Sequence, residues 1–496
     1  MGDADQLTIV SNRLPVVMKQ KSGDWLVEPG SGGLVQAMNP ILRDGGGCWV
    51  GWPGVTSENG EGWRSGLERV GADGGYQMEP VVLSCADIED FYEGFANSVV
   101  WPLFHGFPDR CDFDPKFFAA YGRVNQKFAD VIAGRVHRDS FLWVHDYHLF
   151  EVARRLREGG HRGRLAFFLH ISFPSVENFA KLPWRESLMA DLLQYDLVGF
   201  QTARDLHNFE RCADALGMGV SQGEEGSSCT FDLGDRIVQA GAFPIGIDFE
   251  DFATRAATDE VSTRVENLQN DIGPYKMLLG VDRLDYTKGL IHRLEAYELA
   301  LESHPDLRED VVFFQLVVPS RENVPEYQAL KREFDRVVGR INGRFSTSGW
   351  QPIHYLYNRV GPVELSALYR LASVALVTPL RDGMNLVSKE FCTSQVDENG
   401  ALVLSEFAGA SEQLGVGAIL VNPYDTAETA RAIFEAIKMP REERQRRMHA
   451  MRTVIASSDV FWWAQSFLER VEPQQEEVGQ ELEEPRVLPL SQNRIV

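Results

Sequence analysis

The sequence predicts an α/β fold: parallel sheets with helices on both faces, divided between two domains that meet across a cleft. Three observations predict it. A chain of 496 residues is too long for one hydrophobic core. Short apolar runs of strand length alternate with amphipathic helical stretches almost throughout, the signature of a parallel sheet covered on both sides. The segments that carry chemistry mostly follow those runs, where ligands sit in such sheets.

In chain order, the strand-like runs are Leu7–Ser11, Ser140–Val144, Leu165–His170, Leu197–Phe200, Met277–Val281, Val311–Val318 and Val374–Thr378. Helical patterns cover Tyr327–Val338 and Val363–Leu371. Ser221–Ser228, rich in Gly, Ser and Glu, reads as a surface loop. The Pro/Gly-punctuated segment from Ala242 to Asp248 marks the domain joint, giving domains 1–245 and 246–471. Beyond Val471 the composition shifts to Gln, Glu and Pro, so 472–496 reads as a disordered tail. No internal repeat recurs at a fixed period.

A hydrophobic content of 44% suffices for packed cores, and the charge narrows the partners. With 72 acidic and 49 basic residues the chain carries −23, which argues against nucleic acid or an anionic membrane as a general partner. A phosphate-bearing substrate would need a local cluster of Arg and Lys against that field. The six cysteines are scattered, without a disulfide framework or a C-x-x-C knuckle. No apolar run approaches transmembrane length, and Met1–Asp5 is unlike a signal peptide. A reducing, cytoplasmic location is expected.

Two segments of the carboxyl half supply cations and anion-binding backbone. Arg283 and Lys288, in 280–289, sit on a loop leaving a strand, beside Gly289. A forked guanidinium with a point-charge ammonium suits the two phosphates of a nucleotide diphosphate, although two solvated surface charges near Asp282 and Asp285 would read the same. In 378–390 a strand-like run turns at Pro379–Gly383 into a helix starting near Asn385. Such a turn offers free N–H groups to an anion, and Glu390 could accept both hydroxyls of a ribose. The bland alternative is an ordinary capped helix.

In the amino-terminal half, Ser11-Asn12-Arg13 follows the first strand and a glycine-rich stretch, 30–34, comes next. A lone glycine-rich loop is a weak signal. His145, Asp146, His148 and His170 follow strands. Histidines at that spacing invite a metal, but no carboxylate or Cys set completes a ligand pattern, so none is expected.

Taken together, SNRLPV (11–16), GSGGL (30–34), WVGWPG (49–54), YEGFANSVVWPLFH (92–105), VHDYHL (144–149), FLHISFP (168–174), GFQT (199–202), DRLDYTKG (282–289), PSRENVPEY (319–327), GRINGRF (339–345), TPLRDGMNLVSKE (378–390) and LSEFAGA (404–410) resemble the trehalose-6-phosphate synthase family of retaining glycosyltransferases. The resemblance spans nearly all of 7–470. It implies two Rossmann-like domains facing across a deep cleft, the GT-B arrangement, with the last helix returning to the first domain.

It also implies roles. Arg283 and Lys288 would meet the donor diphosphate. Leu386, Val387, Ser388, Lys389 and Glu390 would line its phosphate and ribose. Asp382, Gly383, Met384 and Asn385 would lie against the transferred sugar, and Gly32 and Gly33 would close over the donor from the other domain. Val360 matches a position near the nucleobase that is aromatic in some relatives. Arg13, Tyr92 and Arg321 match residues holding an acceptor phosphate, and Trp101 and Asp146 match other acceptor positions. His170 matches the histidine beside the reacting sugar, and Ser172 stands where Pro is frequent.

The implied reaction retains anomeric configuration. Retention usually suggests a carboxylate nucleophile, but the family offers no well-placed one. A front-face transfer, with the departing phosphate helping to take the acceptor's proton, rests on positioning and charge. Asp146, His170, Arg283 and Lys288 would carry it, with no metal or other cofactor. The first expectation is trehalose 6-phosphate from UDP-glucose and glucose 6-phosphate. Two segments, FPSV (173–176) and LPWRE (182–186), look more like glucosylglycerol-phosphate synthases, which join ADP-, GDP- or UDP-glucose to glycerol 3-phosphate. A non-catalytic sugar-phosphate sensor is the alternative of another class, opposed by the intact set Arg283, Lys288, Asp146, His170 and Glu390. No pyridoxal-lysine signature supports a phosphorylase. Family members are often dimers or tetramers, so a homo-oligomer is expected, and a separate phosphatase would finish the pathway.

Overall fold

The computed structural model describes residues 7–21, 24–30, 33–224, 227–321 and 324–471. Gly32 and the tail 472–496, both singled out above, lie outside the described residues.

The described residues form seventeen strands: β1 (Thr8–Arg13), β2 (Val16–Lys21), β3 (Asp24–Pro29), β4 (Cys48–Trp52), β5 (Gln77–Pro80), β6 (Leu142–His145), β7 (Leu165–Phe168), β8 (Leu197–Phe200), β9 (Val220–Glu224), β10 (Ser228–Asp232), β11 (Ile237–Ala242), β12 (Lys276–Arg283), β13 (Val311–Val318), β14 (Ile353–Tyr357), β15 (Val374–Val377), β16 (Ala401–Ser405) and β17 (Ile419–Val421). The first sheet runs β5-β4-β1-β6-β7-β8-β11-β10-β9 and the second β14-β13-β12-β15-β16-β17. From β5 to β11 all pairings are parallel, as they are throughout the second sheet. Helices supply the crossovers, which parallel pairing requires.

The parallel part of each sheet reverses winding direction once. In the second, the chain goes from β12 outward through β13 to β14, then returns to lay β15 on the other side of β12. In the first it goes from β1 to β4 and β5, then returns to β6 beside β1. Loops leaving neighbouring strands at such a point diverge and open a crevice at their carboxyl ends. Arg283 ends β12, and Asp146 directly follows β6. The reversals thus place the chemistry.

The sequence expectations meet two differences. Ser221–Ser228 is not simply a loop: β9 pairs antiparallel with β10, and β10 with β11, extending the first sheet. Backbone pairing at a sheet edge needs no apolar run, so the polar sequence concealed β9. The antiparallel ribbon β2–β3 also breaks the strand–helix alternation.

Chain order and domain meet again at the end. The last helix, Val460–Val471, lays Phe467 flat on Trp143 of β6, ring centroids 4.5 Å apart. Gly199 of β8 makes room for it, since a Cβ there would stand 2.6 Å from the Phe467 ring. Across the cleft mouth Phe107 meets Tyr286 edge-on at 5.4 Å, and Arg110 lies 4.6 Å from the same ring.

Candidate active site

Two contiguous cavities, of about 460 and 690 Å³, lie between the carboxyl ends of the sheets and share Tyr92, Val281, Arg283 and Arg321. The first is lined by Trp101, Asp146, His170, Lys288, Asp382, Met384, Asn385, Leu386, Val387 and Glu390 among others. The second holds Arg13 and Val360. The structure therefore brings most of the sequence-selected residues to one place.

Asp146 adopts φ +76°, unusual for a residue with a Cβ. Its N–H donates to the Phe168 carbonyl of β7 at 2.8 Å, and its Oδ1 accepts from the His170 N–H at 3.3 Å. Strain at a functional residue is held by these neighbours. Its carboxyl sits deep, and burial pushes it up to about 7 against the pull of the Tyr147 and His170 amides and Arg283.

His170 is held on both nitrogens. Nε2 lies 3.1 Å from His145 Nδ1, and Nδ1 lies 3.5 Å from Gln201 Nε2. Burial pushes His170 down to about 3, so the imidazole is neutral. The two histidines thus bond each other, and His148 stacks on Tyr92 with centroids 5.8 Å apart. Among the described residues no group of three or more His, Cys, Asp or Glu side chains is placed to hold a metal ion.

From the second sheet, Gly383 abuts His170: a Cβ on it would stand 2.2 Å from the His170 carbonyl oxygen. Asn385, at φ +72°, turns the chain into the helix Leu386–Ser394. Asp382 accepts from Lys288 Nζ at 2.5 Å and from Asn385 Nδ2 at 3.0 Å. Burial alone would raise the Asp382 carboxyl, but Lys288 outweighs it and holds the group below the usual range. Glu390 accepts from the Tyr369 hydroxyl at 2.7 Å, and burial raises its pKa. Arg283 is exposed to the cleft and has no ion pair among the described residues. It lies 5.8 Å from the Trp101 ring centroid and lines the same cavity as the Lys288–Asp382 pair.

A second cationic group faces it. Arg13 lies 4.0 Å above the Trp52 ring, and Arg321 lies 4.7 Å from the Trp101 ring. Arg321 also donates to the Tyr327 hydroxyl and approaches Asp285 to 3.9 Å. Nearby polar atoms are buried without partners among the described residues: Trp101 Nε1, Asn12 Oδ1 and both His148 nitrogens. Buried donors and acceptors without partners are costly, and here they line a cavity where a hydroxylated ligand would satisfy them.

Four of the selected residues among those described, Gly33, Gly383, Ser388 and Lys389, do not line the cavities. Gly383 contributes by its close approach; Ser388 Oγ turns back to donate to the Asn385 carbonyl at 2.7 Å. Lys389 points away, to Ile245 and Gln413. In a helix only some positions face one side, so five consecutive residues cannot all line one wall. Gly33 opens the helix Gly33–Gly45, whose next residue, Leu34, does reach the cavity. Sequence reading assigned no role to Asn12, Tyr147 or Gln201, which line the first cavity; Asn12 lies at the carboxyl end of β1 and Gln201 directly follows β8, a signal that was present.

Comparison with known proteins places the whole chain. The chain matches glycosyltransferase family 20 over residues 5–473. This chain belongs to glycosyltransferase family 20. Curated relatives of this family 20 member include a bifunctional trehalose-6-phosphate synthase/phosphatase of Thermoproteus tenax, 42% identical over 93% of the chain, and a trehalose-6-phosphate synthase of a Mycobacterium species, 41% identical over 94%. The chain spans 63% of the length of the first and 96% of the second. An α,α-trehalose-phosphate synthase (UDP-forming) from Burkholderia xenovorans, solved with glucose-6-phosphate, superposes with a TM-score of 0.85 at 35% identity, covering 94% of this chain and all of that one. The Escherichia coli enzyme bound to UDP-2-fluoro glucose gives 0.84 at 34%, over 94% and 99%. As a family 20 glycosyltransferase, the chain has the GT-B fold anticipated from its motifs. Among its described residues no helix is long and apolar enough to cross a membrane.

Proposed function

We propose that this glycosyltransferase moves glucose from UDP-glucose to glucose 6-phosphate with retention, forming trehalose 6-phosphate. One observation carries the reading: Arg283, Lys288 and Arg321 line the cavity containing Asp146 and His170, and Arg13 joins Arg283 and Arg321 in the adjoining one. Arg283 with Lys288 suits a leaving diphosphate, and Arg13 with Arg321 an acceptor phosphate. The names of the relatives, and the ligands in the two solved structures, fit that division.

In this reading the bond between the anomeric carbon and the diphosphate breaks as Arg283 and Lys288 neutralise the leaving charge. That charge is met by side chains, so the step calls for no metal. Glu390 holds the ribose, and Val360 lies near the nucleobase. The acceptor hydroxyl forms the new bond on the same face, and its proton passes to a phosphate oxygen of the departing nucleotide. Asp146 orients that hydroxyl, the neutral His170 holds the glucose, and proximity supplies most of the acceleration. A cytoplasmic location suits both substrates.

The test is nuclear magnetic resonance of the product formed from UDP-glucose and glucose 6-phosphate. An α,α-linked disaccharide phosphate formed together with UDP supports the reading. An inverted linkage, or donor hydrolysis without transfer, contradicts it.

A further inference from the structure

The joint between the domains is wired into both halves of the site through the backbone of a single residue. The Ile245 N–H donates to Gln201 Oε1 at 3.0 Å, and the Ile245 carbonyl accepts from Lys389 Nζ at 2.7 Å. Each partner leads to the cavity by a different route.

On the first-domain side, the bond from Ile245 fixes the Gln201 amide. With its oxygen engaged, its NH₂ faces His170 Nδ1 at 3.5 Å and can only donate. The neutral His170 therefore carries its proton on Nε2 and donates to His145 Nδ1 at 3.1 Å. Ring orientation and tautomer both trace back to the joint.

On the second-domain side, Lys389 lies in the helix Leu386–Ser394, one position before Glu390 and shortly after the Asp382–Asn385 loop. It is 1% exposed and forms no ion pair among the described residues. Its second bond is to Gln413 Oε1 at 2.7 Å, and Gln413 donates onward to Ser458 Oγ at 3.1 Å. Burying an ammonium without a carboxylate is expensive, and a Met would fill the volume at lower cost. Burial pushes Lys389 down to about 7. The hydrogen bond to the joint accounts for a lysine there.

The joint is also clamped from behind. A Cβ on Gly246 would stand 2.3 Å from the Asp459 carbonyl carbon, and the Val460 N–H donates to the Ile247 carbonyl at 3.1 Å. Little slack remains for the Ile245 peptide to move independently.

We infer that Gln201 and Lys389 are positioning residues that register the two domains through the backbone of Ile245, so that His170 and the Asp382–Asn385 loop reach the reacting sugar together. This rests on the functional reading above. Lys389 lines neither cavity, and Gln201 borders the first beside His170.

The test compares wild type with Q201L, K389M and the double variant in the full chain, measuring kcat, KM for UDP-glucose, UDP binding by calorimetry and the thermal midpoint. Wild-type turnover, measured first, checks the functional reading separately. Each single variant should lose about 10²-fold in kcat, the cost of roughly 1 Å of misplacement. UDP binding should stay within about threefold, and K389M should melt no lower than wild type. Because both act on the backbone of one residue, the double variant should lose little more than the worse single one. K389R, which restores a donor, should recover part of the lost kcat. Q201E keeps the acceptor for Ile245 but moves the His170 proton to Nδ1, and should stay impaired. If K389M does not fold, Q201L and Q201E carry the test alone. Wild-type kcat in Q201L, losses that multiply in the double variant, or losses that follow the melting temperature would overturn the inference.

Discussion

Gly383 and His170 belong to different domains, yet a Cβ on Gly383 would stand 2.2 Å from the His170 carbonyl oxygen. Behind them the packing is equally close, since a Cβ on Gly409 would stand 1.9 Å from the Gly383 oxygen. Only a residue without a side chain lets the loop after β15 reach the histidine after β7. Gly383→Ala should therefore open the contact and lower kcat by about 10²-fold, with UDP affinity changed far less. Steady-state kinetics with calorimetric UDP titration checks this.

Arg283 needs the least structural interpretation, because no ion pair among the described residues depends on it. Arg283→Ala should lower turnover by about 10²–10³, as loss of one preorganised electrostatic donor does, and leave the melting temperature nearly unchanged. Normal turnover at saturating donor would remove Arg283 from the diphosphate site.

Glu390 separates nucleoside binding from phosphate binding. Glu390→Gln keeps the volume and an acceptor for the Tyr369 hydroxyl but removes the charge that a ribose diol would bond. A hydrogen bond to a charged group contributes about 1.5–3 kcal/mol, so UDP should bind about tenfold more weakly or worse. Inorganic diphosphate, tested as a competitive inhibitor, should be affected little.

Asp146 gives the site a pH signature. Its folded-state pKa, about 7, lies above the ordinary carboxylate value. The stability associated with the neutral acid is therefore present below the ordinary carboxylate range and is lost as pH rises through about 7. Asp146→Asn should gain melting temperature relative to wild type on going from pH 5 to pH 8. If the carboxylate orients the acceptor hydroxyl, kcat/KM for the acceptor should rise through about pH 7 in wild type. The asparagine variant should be slow and lack that limb. A thermal-melt series and a pH–rate profile on the two proteins decide both points.

Much of this was legible beforehand. Parallel strands covered on both faces are apolar throughout, so β8 and β13 could be bounded to the residue, and their following loops drew attention to Asp146, His170, Arg283 and the 378–390 segment. What sequence could not show was direction. Lys389 lies between two residues of one motif, Ser388 and Glu390, yet helical periodicity turns its ammonium to the domain joint. Gln201 matters because a peptide 44 positions away orients its amide, a relation that no local pattern encodes. The β9–β10 pairing was hidden because its polar strands are held by backbone bonds at a sheet edge.

The central claim concerns which phosphate enters the cationic group around Arg13, Tyr92 and Arg321. The most direct measurement offers the purified chain UDP-, ADP- and GDP-glucose, each with glucose 6-phosphate and glycerol 3-phosphate in competition, and identifies products by mass and chromatography. The account predicts trehalose 6-phosphate from UDP-glucose as the dominant product. Glucosylglycerol phosphate as the dominant product, whatever the donor, would contradict it.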